Sequence, residues 1–424
     1  MNVTIQPTSL EPLLIDISKD IEILTKSQQH ISIKKFIDHH QPNGYLPFND
    51  IVCQILNKLS QIILKDPVLR KDTGSVSLAY WLRNAQIQQI KQKFERLKDL
   101  EEQIIYVPVG KVFHVAPSNV DTMFVYSWAI SFLCGNRNVV RVSGQKSEIT
   151  IALIQCIDAL METESLLREN NLFITYPHNP EITILFSEWC SHRTIWGGNS
   201  TASAIRPLSL NAHASERIFA SKFSYSVVNA DFIISQDREA LSEIANHFYN
   251  DIFWFDQMAC SSPHIIFWVG DTQIVDESIR KLNSALAEVI QIRNYRSSTS
   301  SAVKRLNYAF DLATTKESTV NLENTGFISV KLDRSEDLCK EICGGGLITH
   351  VQVDSLSEIV EFTSDRDQTI THCGFEILEL QNFAQLVGAR GIDRIVPIGD
   401  ALSFNIYWDG YNLVDDFTRK VVVY

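Results

Sequence analysis

From Ile104 onward, short β-rich runs alternate with helical windows of roughly 10 to 15 residues. The runs are Ile104–Val109, Val112–Ala116, Val139–Val142, Leu172–Tyr176, Thr194–Gly197, Tyr225–Ile234, Ile265–Val269, Ile328–Leu332, Leu347–Val353 and Arg394–Ile398. Strands separated by helices close into parallel sheets through right-handed crossovers, which makes this an α/β chain. The pattern breaks and restarts at Asn229-Ala230-Asp231. We therefore expect a helical N-terminal region and first α/β domain over 1–228, a second α/β domain over 229–395, and a C-terminal return over 396–424. Before Ile104 the texture is helical: Leu78, Trp81, Leu82 and Ala85 recur at helical spacing, and Lys91 to Glu102 is a charged, solvated flank.

With 424 residues, 45% of them hydrophobic, there is enough apolar material for two or three cores of about 150 residues each. A net charge of −12 offers no basic field for a polyphosphate backbone, so no nucleic-acid partner is expected. Cys53, Cys134, Cys156, Cys190, Cys260, Cys339, Cys343 and Cys373 form no CxxC pair and have no histidine at metal spacing, so neither a metal site nor a disulfide framework is expected. Free thiols imply a reducing compartment. Met1 to Asp16 lacks a basic segment followed by an apolar one, so no signal peptide is read there. The most apolar run, Met123 to Cys134, falls short of the roughly 20 residues a spanning helix needs. These readings together expect a cytoplasmic protein without a membrane span.

Three segments carry candidate chemistry. Gln257-Met258-Ala259-Cys260-Ser261-Ser262-Pro263-His264 sets a thiol between small residues just before a strand. At a helix N-terminus, backbone N–H groups would lower its pKa and make it a nucleophile, whereas a free cysteine is ordinarily a buried small hydrophobe. Ile195-Trp196-Gly197-Gly198-Asn199-Ser200-Thr201-Ala202 has the form of a strand turning through glycines into a helix, where backbone and hydroxyl donors such as Ser200 approach a phosphate. It is neither GxGxxG nor a P-loop, and Gly-Gly after a strand also serves as a plain turn. Val115-Ala116-Pro117-Ser118-Asn119 ends one strand, and Cys134-Gly135-Asn136 leads into the next.

Taken in order, these elements resemble the aldehyde dehydrogenase superfamily and, within it, the LuxC-like fatty acyl-CoA reductases of bacterial luminescence operons. The superfamily series is matched by Pro108-Val109-Gly110, Pro117-Ser118-Asn119, Gly135-Asn136 and, more loosely, Arg141-Val142-Ser143, followed by the Gly197-Gly198 turn and the Cys260 segment. The reductase branch is matched by Trp81-Leu82-Arg83, His114 to Asn119, Asp256 to Pro263, and the tail Arg394 to Gly399 with Trp408-Asp409-Gly410. The resemblance spans roughly residues 75 to 424.

It implies a Rossmann-type cofactor domain, a second α/β domain bearing the thiol, and a C-terminal oligomerisation strand, for which Lys420 to Tyr424 is the candidate; that segment would equally serve to cover its own subunit. It further implies Cys260 as nucleophile, with the Asn119 side chain and the Cys260 backbone N–H as oxyanion donors. Pro117, Ser118, Arg141, Ser143, Gly144, Gly197, Gly198, Ser200 and, through Glu323-Asn324-Thr325-Gly326, Glu323 would hold the cofactor.

Two departures from the oxidising relatives shape the expected reaction. Their water-activating Glu has no counterpart in Phe219 to Val228, which contains no carboxylate; Glu216 lies just outside and reads as surface. Where NAD-preferring relatives carry a ribose-binding Glu, this chain has Arg141-Val142-Ser143-Gly144 with Gln145 and Lys146, which would pair with a 2′-phosphate and favour NADPH. The expected activity is NADPH-dependent reduction of a long-chain fatty acyl thioester, acyl-CoA or an acyl group passed from a partner, to the aldehyde through an acyl-cysteine. The alternatives are reductive release from a carrier-protein thioester, and a silent scaffold for an acyl-transferring or synthetase partner. A homo-oligomer is expected from the resemblance alone.

Overall fold

The structure is a computed structural model that describes residues 18–38, 45–100, 103–323, 326–333, 338 and 340–424. Met1 to Asp16, Asn324, Thr325 and Cys339, on which parts of the reading above fall, lie outside the described residues. The chain divides into two compact units: one runs to Ala220 and takes back Tyr411–Tyr424, the other is Ser221–Gly410.

In the first unit the strands are β1 (Glu22–Ile23), β2 (Ile104–Pro108), β3 (Lys111–Val115), β4 (Arg137–Arg141), β5 (Asn171–Thr175), β6 (His192–Trp196) and β7 (Ser215–Phe219). Six of them form a sheet in the order β1-β5-β4-β3-β6-β7, parallel except where β1 meets β5. From β3 the chain steps to β4 and β5 on one side and returns to β6 on the other, so the order reverses between β3 and β6. The most apolar run is the helix Met123–Leu133, which is buried on every side and links β3 to β4. A helix apolar all round belongs inside a core, and no helix among the described residues is long and apolar enough to cross a membrane.

The helix is tied to the sheet by buried polar contacts. His114 Nδ1 and Ser127 Oγ lie 2.8 Å apart, Trp196 Nε1 donates to the same hydroxyl at 2.9 Å, and Ser131 Oγ donates to Asn138 Oδ1 at 2.6 Å. The C-terminal segment is a strand, as expected: Thr418–Val422 pairs antiparallel with β2 of its own chain, from Thr418 opposite Pro108 to Val422 opposite Ile104.

The second unit holds β8 (Phe223–Asn229), β9 (Pro263–Val269), β10 (Ser318–Asn321), β11 (Ile328–Leu332), β12 (Leu347–Val353), β13 (Asp367–Cys373) and β14 (Arg394–Pro397). They form one sheet in the order β10-β11-β12-β9-β8-β13-β14, parallel except for β10 against β11. Apolar clusters cover both faces, one built on Tyr225, Phe267 and Val330, the other on Trp268, Phe248 and Leu286. The run read as a strand from Tyr225 to Ile234 splits here. Asn229 accepts the Phe232 N–H at 3.0 Å and caps the helix Ala230–Ser235. Asn-Ala-Asp thus interrupts the strand pattern because it starts a helix, and the boundary expected there falls inside the second unit, as does the one expected at 395–396.

Candidate functional site

All but one of the candidate cofactor residues gather at one edge of the first unit's sheet. Val115 pairs with Ile195 on one side and Arg141 on the other, and neighbouring strands lie about 4.8 Å apart. The segments that follow, Pro117-Ser118-Asn119 after β3, Ser143-Gly144 after β4 and Gly197-Gly198 after β6, therefore share the carboxyl edge where the strand order reverses. Open α/β sheets bind ligands at that place. Ala116 N–H donates to Arg141 C=O at 2.9 Å and Gly197 N–H to Phe219 C=O at 3.1 Å, which extends the ladder to the lip of this edge. Ser118 and Asn119 are exposed on the bend beyond β3. Asp121 then holds the next crossover, accepting from Ser147 Oγ at 2.6 Å and Thr150 Oγ1 at 2.8 Å. Ser200 is exposed in the first turn of the helix Asn199–Ile205.

The residues present fit a nicotinamide dinucleotide. The Arg141 guanidinium lies over the Tyr176 ring at 4.7 Å, and its buried Nε has no hydrogen-bond partner; Thr175 Oγ1, at the end of the adjoining β5, is likewise buried without one. A Cβ built on Gly144 would meet only that Thr175 hydroxyl, at 3.9 Å, so a cation and a hydroxyl flank open space, with Glu22 opposite Thr175 on β1. Lys146, expected to assist, is paired instead with Glu22 at 3.1 Å. Glu323 is in the second unit, exposed just after the edge strand β10, and its N–H donates to Asn321 Oδ1 at 2.9 Å. Glu216 is no loose surface carboxylate: it accepts Arg193 Nε at 2.5 Å, and Arg193 is itself buried.

Cys260 does not stand at a helix N-terminus. The helix Arg238–Phe253 ends before it, and Cys260 occupies a turn that runs into β9. Burial pushes its thiol up to about 12, Asp409 adding to the effect while its own backbone N–H and Lys222 oppose it. The resting sulfur is therefore protonated, which corrects the expectation of a helix-lowered pKa. Its backbone is held firmly, since Ser224 Oγ donates to Cys260 C=O at 2.7 Å.

The turn behind it is strained and braced. Asp256 and Gln257 both adopt left-handed φ, +52° and +61°, a conformation that costs a non-glycine residue free energy unless its surroundings impose it. The buried Gln257 side chain donates to Pro263 C=O and Leu347 C=O, both at 2.9 Å, and accepts Gly346 N–H at 3.0 Å. Asp256 accepts Ser301 Oγ at 2.7 Å and the Tyr295 hydroxyl, and its C=O accepts Gly345 N–H at 2.8 Å. Gly344 and Gly346 are required here. Both have positive φ, and a Cβ would approach Met258 Sδ to 2.5 Å at the first and Phe253 Cε1 to 2.8 Å at the second. This Gly-Gly-Gly segment, which sequence reading passed over, is legible as three consecutive glycines ahead of a strand. Sequence reading also missed any charge beside the thiol, because Asp409 and Lys222 lie far from Cys260 along the chain.

A family model described as acyl-CoA reductase (LuxC) matches residues 83–420. No match was found among curated proteins. Solved structures with the same fold include an oxidoreductase from Marinobacter aquaeolei, at 11% identity and TM-score 0.65 over 95% of this chain and 94% of that one. A salicylaldehyde dehydrogenase from Pseudomonas putida G7 aligns at 13% identity and TM-score 0.60 over 96% and 89%. An NAD-dependent benzaldehyde dehydrogenase from Corynebacterium glutamicum aligns at 12% and 0.57 over 89% and 85%. The aldehyde dehydrogenase-like fold expected above is the fold observed.

Proposed function

Because the chain belongs to the acyl-CoA reductase (LuxC) family, we propose that it reduces a long-chain fatty acyl thioester to the fatty aldehyde, with NADPH as reductant and Cys260 as the acyl carrier. The observation that carries this reading is the family match itself, which takes in Asn119, Arg141 and Cys260 in order. The braced turn under Cys260 supports it, as does the carboxyl-edge cradle around Arg141 and Gly144.

In the proposed cycle the Cys260 sulfur bonds to the acyl carbon, the bond from that carbon to the departing thiol breaks, and the Cys260 proton leaves with the departing thiol. Asn119 and the Cys260 N–H are the oxyanion donors in this reading. NADPH, when bound, supplies the hydride that the acyl carbon accepts. The oxyanion so formed takes a proton from solvent, and the resulting thiohemiacetal collapses, its hydroxyl proton passing to the Cys260 sulfur as the aldehyde departs. Arg141 would hold the 2′-phosphate by charge, and Pro117, Ser118, Ser143, Gly197, Gly198 and Ser200 would line the remaining cradle, with Glu323 retained as the candidate for the nicotinamide ribose.

Mixing the pure protein with NADPH and a series of acyl-CoAs, while following the absorbance of the reduced cofactor and trapping aldehyde, tests the proposal. Aldehyde should form one-for-one with cofactor oxidation and fastest with long chains. Cofactor unchanged with every acyl-CoA would refute it.

A further inference from the structure

The tail motif Trp408-Asp409-Gly410 has no role in the cycle above, yet Asp409 is buried, carries a left-handed φ of +48°, and bears on the thiol. A hydrogen-bonded path connects the two. Gln368 Nε2 donates to Asp409 Oδ1. The peptide that joins Gln368 to Thr369 presents its N–H to Ser224 Oγ at 3.2 Å, and the Ser224 hydroxyl donates onward to Cys260 C=O at 2.7 Å. Ser224, Gln368 and Thr369 are all buried, so solvent offers these groups no substitute partner and the path is rigid.

We propose that Asp409 is a positioning residue for Cys260: it fixes the thiol turn through Gln368, Thr369 and Ser224, and it places a negative charge beside the sulfur. The charges facing Asp409 are Lys222, Asp393 and Arg394. Lys222 Nζ reaches Asp393 Oδ2 at 3.4 Å and Asp365 C=O at 3.0 Å. Burial pushes the Asp409 carboxyl up to about 6, with Gln368, Lys222 and Arg394 acting the other way and Asp393 adding to the rise. Near neutrality Asp409 is thus largely ionised. It opposes ionisation of Cys260, and Lys222 favours it. Burial is the larger influence on the thiol, and neutralising Asp409 removes the part of the rise that its charge adds.

This inference rests on Cys260 being the working thiol but not on the acyl substrate, so its test uses iodoacetamide. The rate at which Cys260 is alkylated is read by peptide mapping between pH 7 and 9 on the full chain, with circular dichroism as the check on folding. Asp409→Asn keeps an acceptor for Gln368 and removes the charge. It should accelerate alkylation at each pH, on the order of tenfold for each unit by which the thiol pKa falls. Lys222→Met should slow it. Ser224→Ala, which removes no charge, should change the rate by the same factor at every pH. Asp409→Asn alkylated at the parent rate would overturn the inference, and so would Ser224→Ala indistinguishable from the parent. Should Asp409→Asn accelerate alkylation while the parent takes no acyl group from acyl-CoA, the functional reading falls and this one stands. Should the parent reduce acyl-CoA through Cys260 while Asp409→Asn leaves alkylation unmoved, the reverse holds.

Discussion

The Gln257 carboxamide accepts the backbone N–H of Gly346 at 3.0 Å, stapling the strained turn before Cys260 to the start of β12. The same side chain donates to two further carbonyls, Pro263 and Leu347. Gln257→Ala would remove one hydrogen bond from each of three backbone groups, at about 1 kcal/mol apiece, so the expected destabilisation is about 3 kcal/mol. Urea unfolding of the full chain measures it, and a loss below about 1 kcal/mol would show that the staple is not holding the turn.

Much of this was legible in advance where a segment's pattern had one physical cause. The strands at Ile104, Ile328, Leu347 and Arg394 were read nearly to the residue, because apolar β-branched runs bounded by turns have few other uses. β13 was missed, since Asp367-Gln368-Thr369-Ile370-Thr371-His372-Cys373 is a polar string in which Asp367 pairs with Lys340, Gln368 with Asp409 and Thr371 with Ser226, all remote in sequence. β7, Ser215–Phe219, was missed for a similar reason: its Glu216 and Arg217 pair with Arg193 and Asp416. At the candidate site, the order of motifs singled out Cys260 and the segments that share the carboxyl edge of the first unit's sheet. The environment of the thiol was not readable, because Ser224, Gln368 and Asp409 converge on it only through the tertiary fold.

Cofactor choice tests the cradle at the end of β4. The unpartnered, buried Arg141 Nε and the empty space at Gly144 predict tighter binding of NADPH than of NADH. Arg141→Glu should erase or reverse the preference by placing a carboxylate where the 2′-phosphate would lie. Fluorescence titration of both cofactors against both proteins decides the matter, with equal affinities in the parent counting against the assignment.

His114 supplies a pH signature. Burial holds its imidazole neutral and pushes it down to about 3, with His192 adding to the fall and the Asn138 contact opposing it. Its ordinary value is 6.5, so the unfolded chain takes up a proton there that the folded chain refuses. The stability this group contributes is complete above pH 6.5 and is lost as the pH falls toward 3. His114→Gln has no such titration. The parent's advantage over that variant should therefore shrink by about 2 kcal/mol between pH 7.5 and pH 5, and an advantage constant with pH would contradict the neutral, buried assignment.

Protection of the acyl group from water is a separate matter. Glu216 is held by Arg193 in the first unit, and Phe219 to Val228 brings no carboxylate, but Asp409 brings one near the thiol. Its oxygen is engaged by Gln368, so we expect it not to activate water and the acyl-enzyme to be long-lived without NADPH. A working general base would speed hydrolysis by about 10² to 10⁴-fold. Hydrolysis in the parent that is fast, and that slows by such a factor in Asp409→Asn, would identify Asp409 as that base.

The most direct test of the account is a single-turnover experiment at Cys260. The protein is mixed with a long-chain acyl-CoA and quenched, peptides are mapped by mass, and NADPH is then added to a parallel sample. The account predicts one acyl group per chain, sensitive to hydroxylamine and located on Cys260, that disappears as aldehyde when NADPH arrives, with no acylation in Cys260→Ser. Acylation that persists in Cys260→Ser, or an acyl-Cys260 that NADPH leaves unreduced, would contradict it.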